Sequence, residues 1–437
     1  MSPPRAERLP ALGLGVALVL MVLAMTVPVV FDWYVRVNSF PPIHAEWEPR
    51  LGFGTLPTLL LAGLAGIYAH RLAQSLPWRR LLLGSFLAGL AWMLSLAFID
   101  GWSGIGHILN TRYEYLQTAR STTDIPDFFD EYVGRIRYGP DELPVHIAGH
   151  PAGAVLFFVV LVRIGLGSGL AAGLVVTALA ATTAVAVLVT MRVLCAEGSA
   201  RRAAPFLVFG PAAIWQCVSA DGMFAAVAAW GMAALALGAV RRSWLWSVMA
   251  GLLLGYCVML SYGLPLLGVL AVAVLVAARS FYPLVFAILA ACAVVLSFAV
   301  AGFAWWEAYP ALHDRYWAGV GGRRPPAYWI WGNLAALLFS AGPFLGAGVA
   351  LLLGRGRGHL QDARTRVAAL LSGAGVVMVL LADLSQMSKA EVERIWLPFV
   401  PWLLVSCALL PHRWRYVALV GQVVAAVFIA HLLKPDW

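Results

Sequence analysis

Windows of about twenty apolar residues recur from one end of this chain to the other, and no other feature constrains its fold as strongly. Each window, wound as a helix, is long enough to cross about 30 Å of hydrocarbon. Backbone in lipid must satisfy its own hydrogen bonds, which restricts spanning structures to helices and closed barrels. The alternating strand pattern of a membrane barrel is absent. The chain therefore reads as an all-α, polytopic helical membrane protein. Composition agrees: 62% hydrophobic and 12% charged over 437 residues, which no soluble globular domain matches.

The windows place crossings near 9–30, 53–73, 81–99, 168–191, 203–219, 222–240, 244–260, 262–278, 282–301, 329–353, 367–385, 395–410 and 415–433. That is about 13 transmembrane helices. The first is too long for a signal-peptide core and lacks a small-residue cleavage site after Pro28, so it reads as a retained span. The five cysteines (Cys195, Cys217, Cys257, Cys292, Cys407) lie in or beside spans. They indicate neither a disulfide framework nor a zinc site.

The net charge of +9 has a topological explanation that needs no nucleic acid. With the N-terminus in the cytoplasm, the inner connections carry 17 arginines, from Arg5 and Arg8 to Arg413 and Arg415. They carry only three acids, Glu7, Glu197 and Asp362, which leaves 18 of the 21 acids outside. This is the positive-inside pattern of a multi-pass plasma-membrane protein whose basic loops face anionic lipid. It holds only if 150–167 does not cross. That segment is interrupted by Arg163 and ends in glycines, so it reads as an interfacial helix. A true crossing, with inverted topology downstream, is the alternative.

The division expected is a two-span N-terminal extension at 1–80, a transmembrane core at 81–410 with a large outer loop at 100–167, and a final span with an outer C-terminus at 411–437. The outer loop holds the densest polarity in the chain: eight acids, including Asp100 and Glu114, and the histidines His107, His146 and His150. Asp100 and Glu114 lie nearest the bilayer, beside Trp102, Tyr113 and Tyr115. A carboxylate there can have a raised pKa and act as a general base. A helix cap or a solvated loop acid is the structural alternative.

His146 and His150 have the i, i+4 spacing of a metal pair. Gly149 and Pro151 argue against one helix through both, and spacing places no further ligand. A divalent metal stays open as a cofactor; hydrogen bonding to sugar or phosphate is the other reading. Asp221, between two apolar spans, either caps the following helix or lines a cavity. Arg323 and Arg324 are adjacent guanidinium groups suited to a phosphate. The aromatics around them read as an interfacial belt or as sugar-stacking faces. Lys389, Glu393 and Arg394 stand at an outer span end, where Arg394 could reach a lipid phosphate. The alternative is that Glu391 or Glu393 simply pairs with Lys389 or Arg394.

With these residues in view, the chain resembles the GT-C superfamily of polyprenyl-phosphate-dependent membrane glycosyltransferases, in particular its actinobacterial members. The features that carry the resemblance are Asp100 through Glu114 in the first outer loop, HPAG at 150–153, the Gly-rich span ending at Arg192, and Asp221. The segments RPPAYWIWGN and EVERIWLPF add to it, over roughly residues 80–410. The family's Pro-Pro-Gly stands here as Pro-Ala-Gly, and no clear Asp-Glu pair marks the base. Two spans precede the core, and the soluble C-terminal domain of many members is not expected.

The resemblance implies transfer of a sugar, with inversion, from a polyprenyl-phosphate donor to a glycan or lipid acceptor of the cell envelope, on the outer face. Asp100 or Glu114 would be the base. Arg323, Arg324, Lys389 and Arg394 would contact phosphate, and His146 and His150 would shape the sugar site. A transporter or flippase of a lipid-linked precursor is the competing reading, and it requires ionisable groups at the bilayer midplane. A scaffold without catalysis is the third.

Overall fold

The computed structural model describes residues 5–37 and 40–435. The side chain of Arg5, counted among the inner bases, and the last two residues of the expected outer C-terminus lie outside the described residues. Among the described residues the architecture is all-helical apart from one short ribbon. Among the described residues seven helices are long and apolar enough to span a membrane, or nine if two sharply bent pairs each count as one span.

Six of the seven follow the expected windows closely. Examples are Thr55–Ser75, Gly169–Val193 and His412–Leu432. Other windows take shorter or broken forms. The 203–219 window divides into Glu197–Val208 and Ala212–Gln216, and the 395–410 window into turns around Val400–Leu404. The 329–353 window becomes Pro326–Ala341 and Leu345–Gln361, bent by 115°. Gly342 at this bend has φ +85°, and Pro343 follows with no N–H to continue the ladder. The Ala152–Arg163 helix has 12 residues, about 18 Å, which is short of the hydrocarbon thickness. Arg163 at its far end donates back to the carbonyl of Thr123 at 3.1 Å.

Close helix contacts rest on small residues, because lipid offers no hydrophobic drive between helices. Gly251 and Gly255, in GLLLG, bring Trp244–Leu260 against Leu284–Val300. A Cβ on Gly251 would lie 2.3 Å from the carbonyl oxygen of Ala287, and one on Gly255 2.7 Å from the Cα of Ala291.

The connections sort into two groups by mutual contact. At one end Arg201 donates to the carbonyls of Ala73 and Leu76, and Ser199 to that of Arg364. At the other end the acid-bearing segments 31–52, 100–167, 302–328 and 385–399 touch one another. Arg50 pairs with Asp100 at 2.7 Å, and Arg315 donates to the carbonyl of Ile136 at 2.7 Å. A two-stranded antiparallel ribbon ties Ala45–Trp47 to Leu433–Pro435. Its three-residue strands carry too little alternation to be read from sequence. The described part of the 1–80 segment packs on the rest of the chain: Tyr328 Oη donates to the carbonyl of Ala24 at 2.7 Å.

Candidate functional site

Between the acid-bearing segments lies a cavity of about 570 Å³. Its charged and imidazole lining comes from three separate stretches: His146 and His150, Arg315 and Arg324, and Lys389, Glu391 and Arg394.

Arg394 organises one wall. Its Nη1 donates to Glu114 Oε1 at 3.0 Å, and its Nε lies 3.0 Å from Asp221 Oδ2. His146 Nδ1 donates to the same Glu114 oxygen at 3.3 Å. All three members of the Glu114–Arg394–Asp221 group are buried. Burial alone would weaken the charge on Arg394, but Asp221 and then Glu114 more than reverse this and hold it ionised. For Glu114, burial favours the neutral acid. The hydrogen bond from His146 and the charge of Arg394 outweigh it and keep the carboxyl below its ordinary value. Glu114 Oε2 takes no hydrogen bond among the described residues. His150 Nδ1 donates to the backbone carbonyl of His146 at 2.7 Å, which fixes the His150 ring. Burial, chiefly, lowers its pKa and keeps it neutral, so Nε2 is an acceptor.

The opposite wall is built by an exchange of side chains between two loops. Arg324 Nη1 donates to the carbonyl of Lys389 at 2.5 Å, and Lys389 Nζ donates to the carbonyls of Gly321 at 3.1 Å and Arg324 at 3.3 Å. Lys389 Nζ also lies 4.4 Å from the centroid of the Trp317 ring. Arg324 pairs with Glu391 at 3.2 Å, whereas Lys389 has no carboxylate within ion-pair distance among the described residues. The loop is held in an unusual backbone form: Gln386, Ala390 and Glu391 have φ of +56°, +68° and +63°. Such left-handed residues cost free energy and persist where their surroundings enforce them. Asn333 is the enforcer. Its amide donates to Asp383 Oδ1 at 2.8 Å and to the carbonyl of Ser388 at 2.9 Å, and its oxygen accepts the Ala390 N–H at 3.0 Å.

No protein-family profile matches this chain, and no curated protein matches it at a significant level. The geometry of the cavity therefore carries the functional argument.

Of the residues singled out from sequence, His146, His150, Arg324, Lys389 and Arg394 line the cavity. Glu114 and Asp221 stand behind Arg394, tied to it. Asp221 does not cap its helix as one reading expected; the Ser219 hydroxyl accepts the Asp221 N–H at 3.1 Å and fills that role. Asp100 is not on the cavity wall, because Arg50 holds it at the base of the 31–52 segment. Arg323 also lies off the wall; its Nε donates to the carbonyl of Gly319 at 3.3 Å. Glu393 is fully buried and points the other way, accepting the His44 N–H at 3.0 Å. Burial, chiefly, raises its carboxyl above the usual range. The expected pairing of Glu391 or Glu393 with Lys389 or Arg394 is replaced by Glu391 with Arg324.

Asn333, Glu391 and Arg315 were not chosen from sequence. Asn333 and Arg315 sit among aromatics that read as belt, and Glu391 reads from sequence as an ion-pair partner at a span end. Among the described residues no group of three or more His, Cys, Asp or Glu is arranged to hold a metal ion. His146 and His150 each commit Nδ1 elsewhere, to Glu114 and to a carbonyl.

Proposed function

We propose that this protein is a membrane glycosyltransferase of the GT-C type, moving a sugar from a polyprenyl-phosphate donor to an envelope glycan or lipid acceptor. The observation that carries the reading is the two-sided cavity. Among the described residues, a buried carboxylate with one uncommitted oxygen stands behind one wall, and a cation without a carboxylate partner stands in the other.

In this reading the N-terminus is cytoplasmic, the cavity faces outward, and the Ala152–Arg163 helix lies in the interface. The thirteen expected crossings would then include short and bent helices that cross in part. The acceptor hydroxyl attacks the anomeric carbon from the face opposite the phosphate. As the new C–O bond forms, the bond to the phosphate oxygen breaks, the configuration inverts, and the hydroxyl proton passes to Glu114 Oε2. General-base assistance of this kind contributes about 10²–10⁴-fold. Arg394 and His146 fix the other oxygen, which orients the base. The leaving phosphate gains charge beside Lys389 and Arg324, and fixed cations in a water-poor site stabilise that charge strongly. Asp100 has no role here, since Arg50 occupies it.

The two bent helix pairs favour a transporter as the second reading, because broken helices frame transport sites. The two readings separate on one assay. Purified protein incubated with radiolabelled polyprenyl-phosphate sugar and an envelope extract should move label into the acceptor fraction. A transporter would instead carry the intact donor across a vesicle membrane without breaking it.

A further inference from the structure

The end of the bundle away from the cavity carries the basic connections, and there two neighbouring arginines on the helix Glu197–Val208 differ sharply. Arg201 is satisfied. Glu197 accepts from its Nη2 at 2.7 Å and from its Nε at 2.9 Å, and its Nη1 donates to the carbonyls of Ala73 and Leu76. Arg192 shares the same carboxylate at 2.9 Å. Arg202 instead donates from Nη2 to the neutral Ser199 hydroxyl at 2.8 Å.

A second arginine shares this corner. The helices Thr55–Ser75, Glu197–Val208 and His412–Leu432 meet here, and His70 joins them. Its Nε2 donates to the Arg415 carbonyl at 2.8 Å, and its ring lies 5.6 Å from that of Phe206, one turn from Arg202 on the same face. Arg415 Nη1 donates to the carbonyl of Leu410 at 3.1 Å, and its charge is repelled by that of Arg202. Both arginines are partly buried, and neither has a carboxylate within ion-pair distance among the described residues. Asp362 acts on Arg202 from beyond that distance.

Basic residues are common in such connections, where they ordinarily reach into water. Two like charges drawn partly out of water side by side are costly unless an anion joins them. A phosphate group suits the pair, because its several oxygens can accept from two guanidinium groups at once. The surroundings favour a lipid as its source. Tyr68 and Leu72 of one helix and Tyr416 and Val417 of another are exposed near this end, and Thr55–Ser75 buries little of itself in the protein. Such faces meet acyl chains, and basic pockets between helices at the membrane surface take anionic headgroups. We infer that Arg202 and Arg415 hold the phosphate of one anionic phospholipid, whose chains lie along Thr55–Ser75 and His412–Leu432. The site is at the opposite end from the cavity and stands whichever chemistry the cavity performs.

The test is native mass spectrometry of delipidated full-length protein in detergent, with thermal midpoints measured alongside. The probes are dioleoyl phosphatidylglycerol, dioleoyl phosphatidylcholine and millimolar inorganic phosphate. One phosphatidylglycerol should stay bound where phosphatidylcholine, with the same chains, does not, and it should raise the midpoint. Inorganic phosphate should leave the midpoint unchanged. Arg202→Gln and Arg415→Gln should each weaken phosphatidylglycerol binding about tenfold, whereas Arg413→Gln, at an exposed neighbour, stays within about twofold of wild type. Without lipid, Arg202→Gln should melt no lower than wild type, since it relieves the repulsion; a purely structural arginine would leave a less stable protein. Equal retention of the two phospholipids by wild type, with no effect of inorganic phosphate, overturns the site and needs no variant to fold. An Arg413→Gln effect as large as that of Arg415→Gln also overturns it, by revealing a diffuse basic surface. Stabilisation of wild type but not Arg202→Gln by inorganic phosphate, without retention of phosphatidylglycerol, overturns the lipid as the source of the phosphate.

Discussion

Arg394 Nη1 lies 3.0 Å from Glu114 Oε1, joining positions 280 residues apart in the chain. The same guanidinium holds Asp221, so one cation compensates two buried carboxylates. Removing it takes the guanidinium from both, and breaking a buried ion pair by removing one partner costs about 3–5 kcal/mol. Arg394→Met should therefore lower the thermal midpoint in detergent far more than Glu114→Gln does. The triple variant Glu114→Gln, Asp221→Asn, Arg394→Met should regain most of the loss, because replacing the whole group by uncharged side chains removes the stranded charge. Equal midpoints for Arg394→Met and Glu114→Gln would contradict this arrangement.

Lys389 separates binding from chemistry. Its Nζ is held by two carbonyls and the Trp317 face, with no carboxylate partner among the described residues. Lys389→Met removes a charge that should meet the donor phosphate. Charge-assisted hydrogen bonds are worth about 1.5–3 kcal/mol, so kcat/KM for the phosphorylated donor should fall about 10- to 100-fold. The KM for the neutral acceptor should not change. Lys389→Arg should fail to restore activity, because a planar fork cannot reproduce the compact contact with Trp317 and two carbonyls. Steady-state kinetics with each substrate varied in turn checks both statements.

Asp100 and Glu114 looked alike in sequence and differ in structure. Asp100 pairs with Arg50 at 2.7 Å with 31% of its side chain exposed, and such pairs are worth about 0–1 kcal/mol. Asp100→Asn should keep transfer within about twofold of wild type and barely move the thermal midpoint. An inactive but folded Asp100→Asn protein would return the base to Asp100.

Much of the architecture was legible and the site was not. Long apolar windows dictate helices because a bilayer allows little else, and Glu7–Val30 or His412–Leu432 follow directly. The breaks were harder, since lipid-facing and protein-facing residues are both apolar and no helical periodicity marks an end. The signals that existed were Gly-Pro pairs, at 210–211 and 342–343, and both fall where a window divides. The site's members stood out as polar exceptions near span ends. Their partners did not, because pairs such as Arg394 with Glu114 or Lys389 with Gly321 depend on contacts between distant segments. Spacing also missed Asn333, whose role is to shape the 383–390 backbone.

Glu391 links acid stability to the cationic wall. Burial raises its pKa, but Arg324 outweighs this and the carboxyl is brought down to about 2 from 4.5. A group lowered on folding stabilises the fold above its unfolded value and loses that contribution as pH falls through the folded one. The contribution is therefore complete above about pH 4.5 and lost between there and pH 2. With a quarter of the side chain exposed, it is worth on the order of 1–2 kcal/mol. Thermal midpoints of wild type and Glu391→Gln, followed from pH 6 to pH 3, should converge as the pH drops. A constant gap would show that Glu391 ionisation does not stabilise the fold.

The most direct test of the central claim is single-turnover transfer from radiolabelled polyprenyl-phosphate sugar by wild-type and Glu114→Gln protein in nanodiscs. The account predicts label in the acceptor with inverted anomeric configuration. It also predicts a fall of about 10²–10⁴-fold for Glu114→Gln, with donor binding retained. Transfer by Glu114→Gln at the wild-type rate, or wild-type protein that binds the donor and never breaks its phosphate bond, would contradict it.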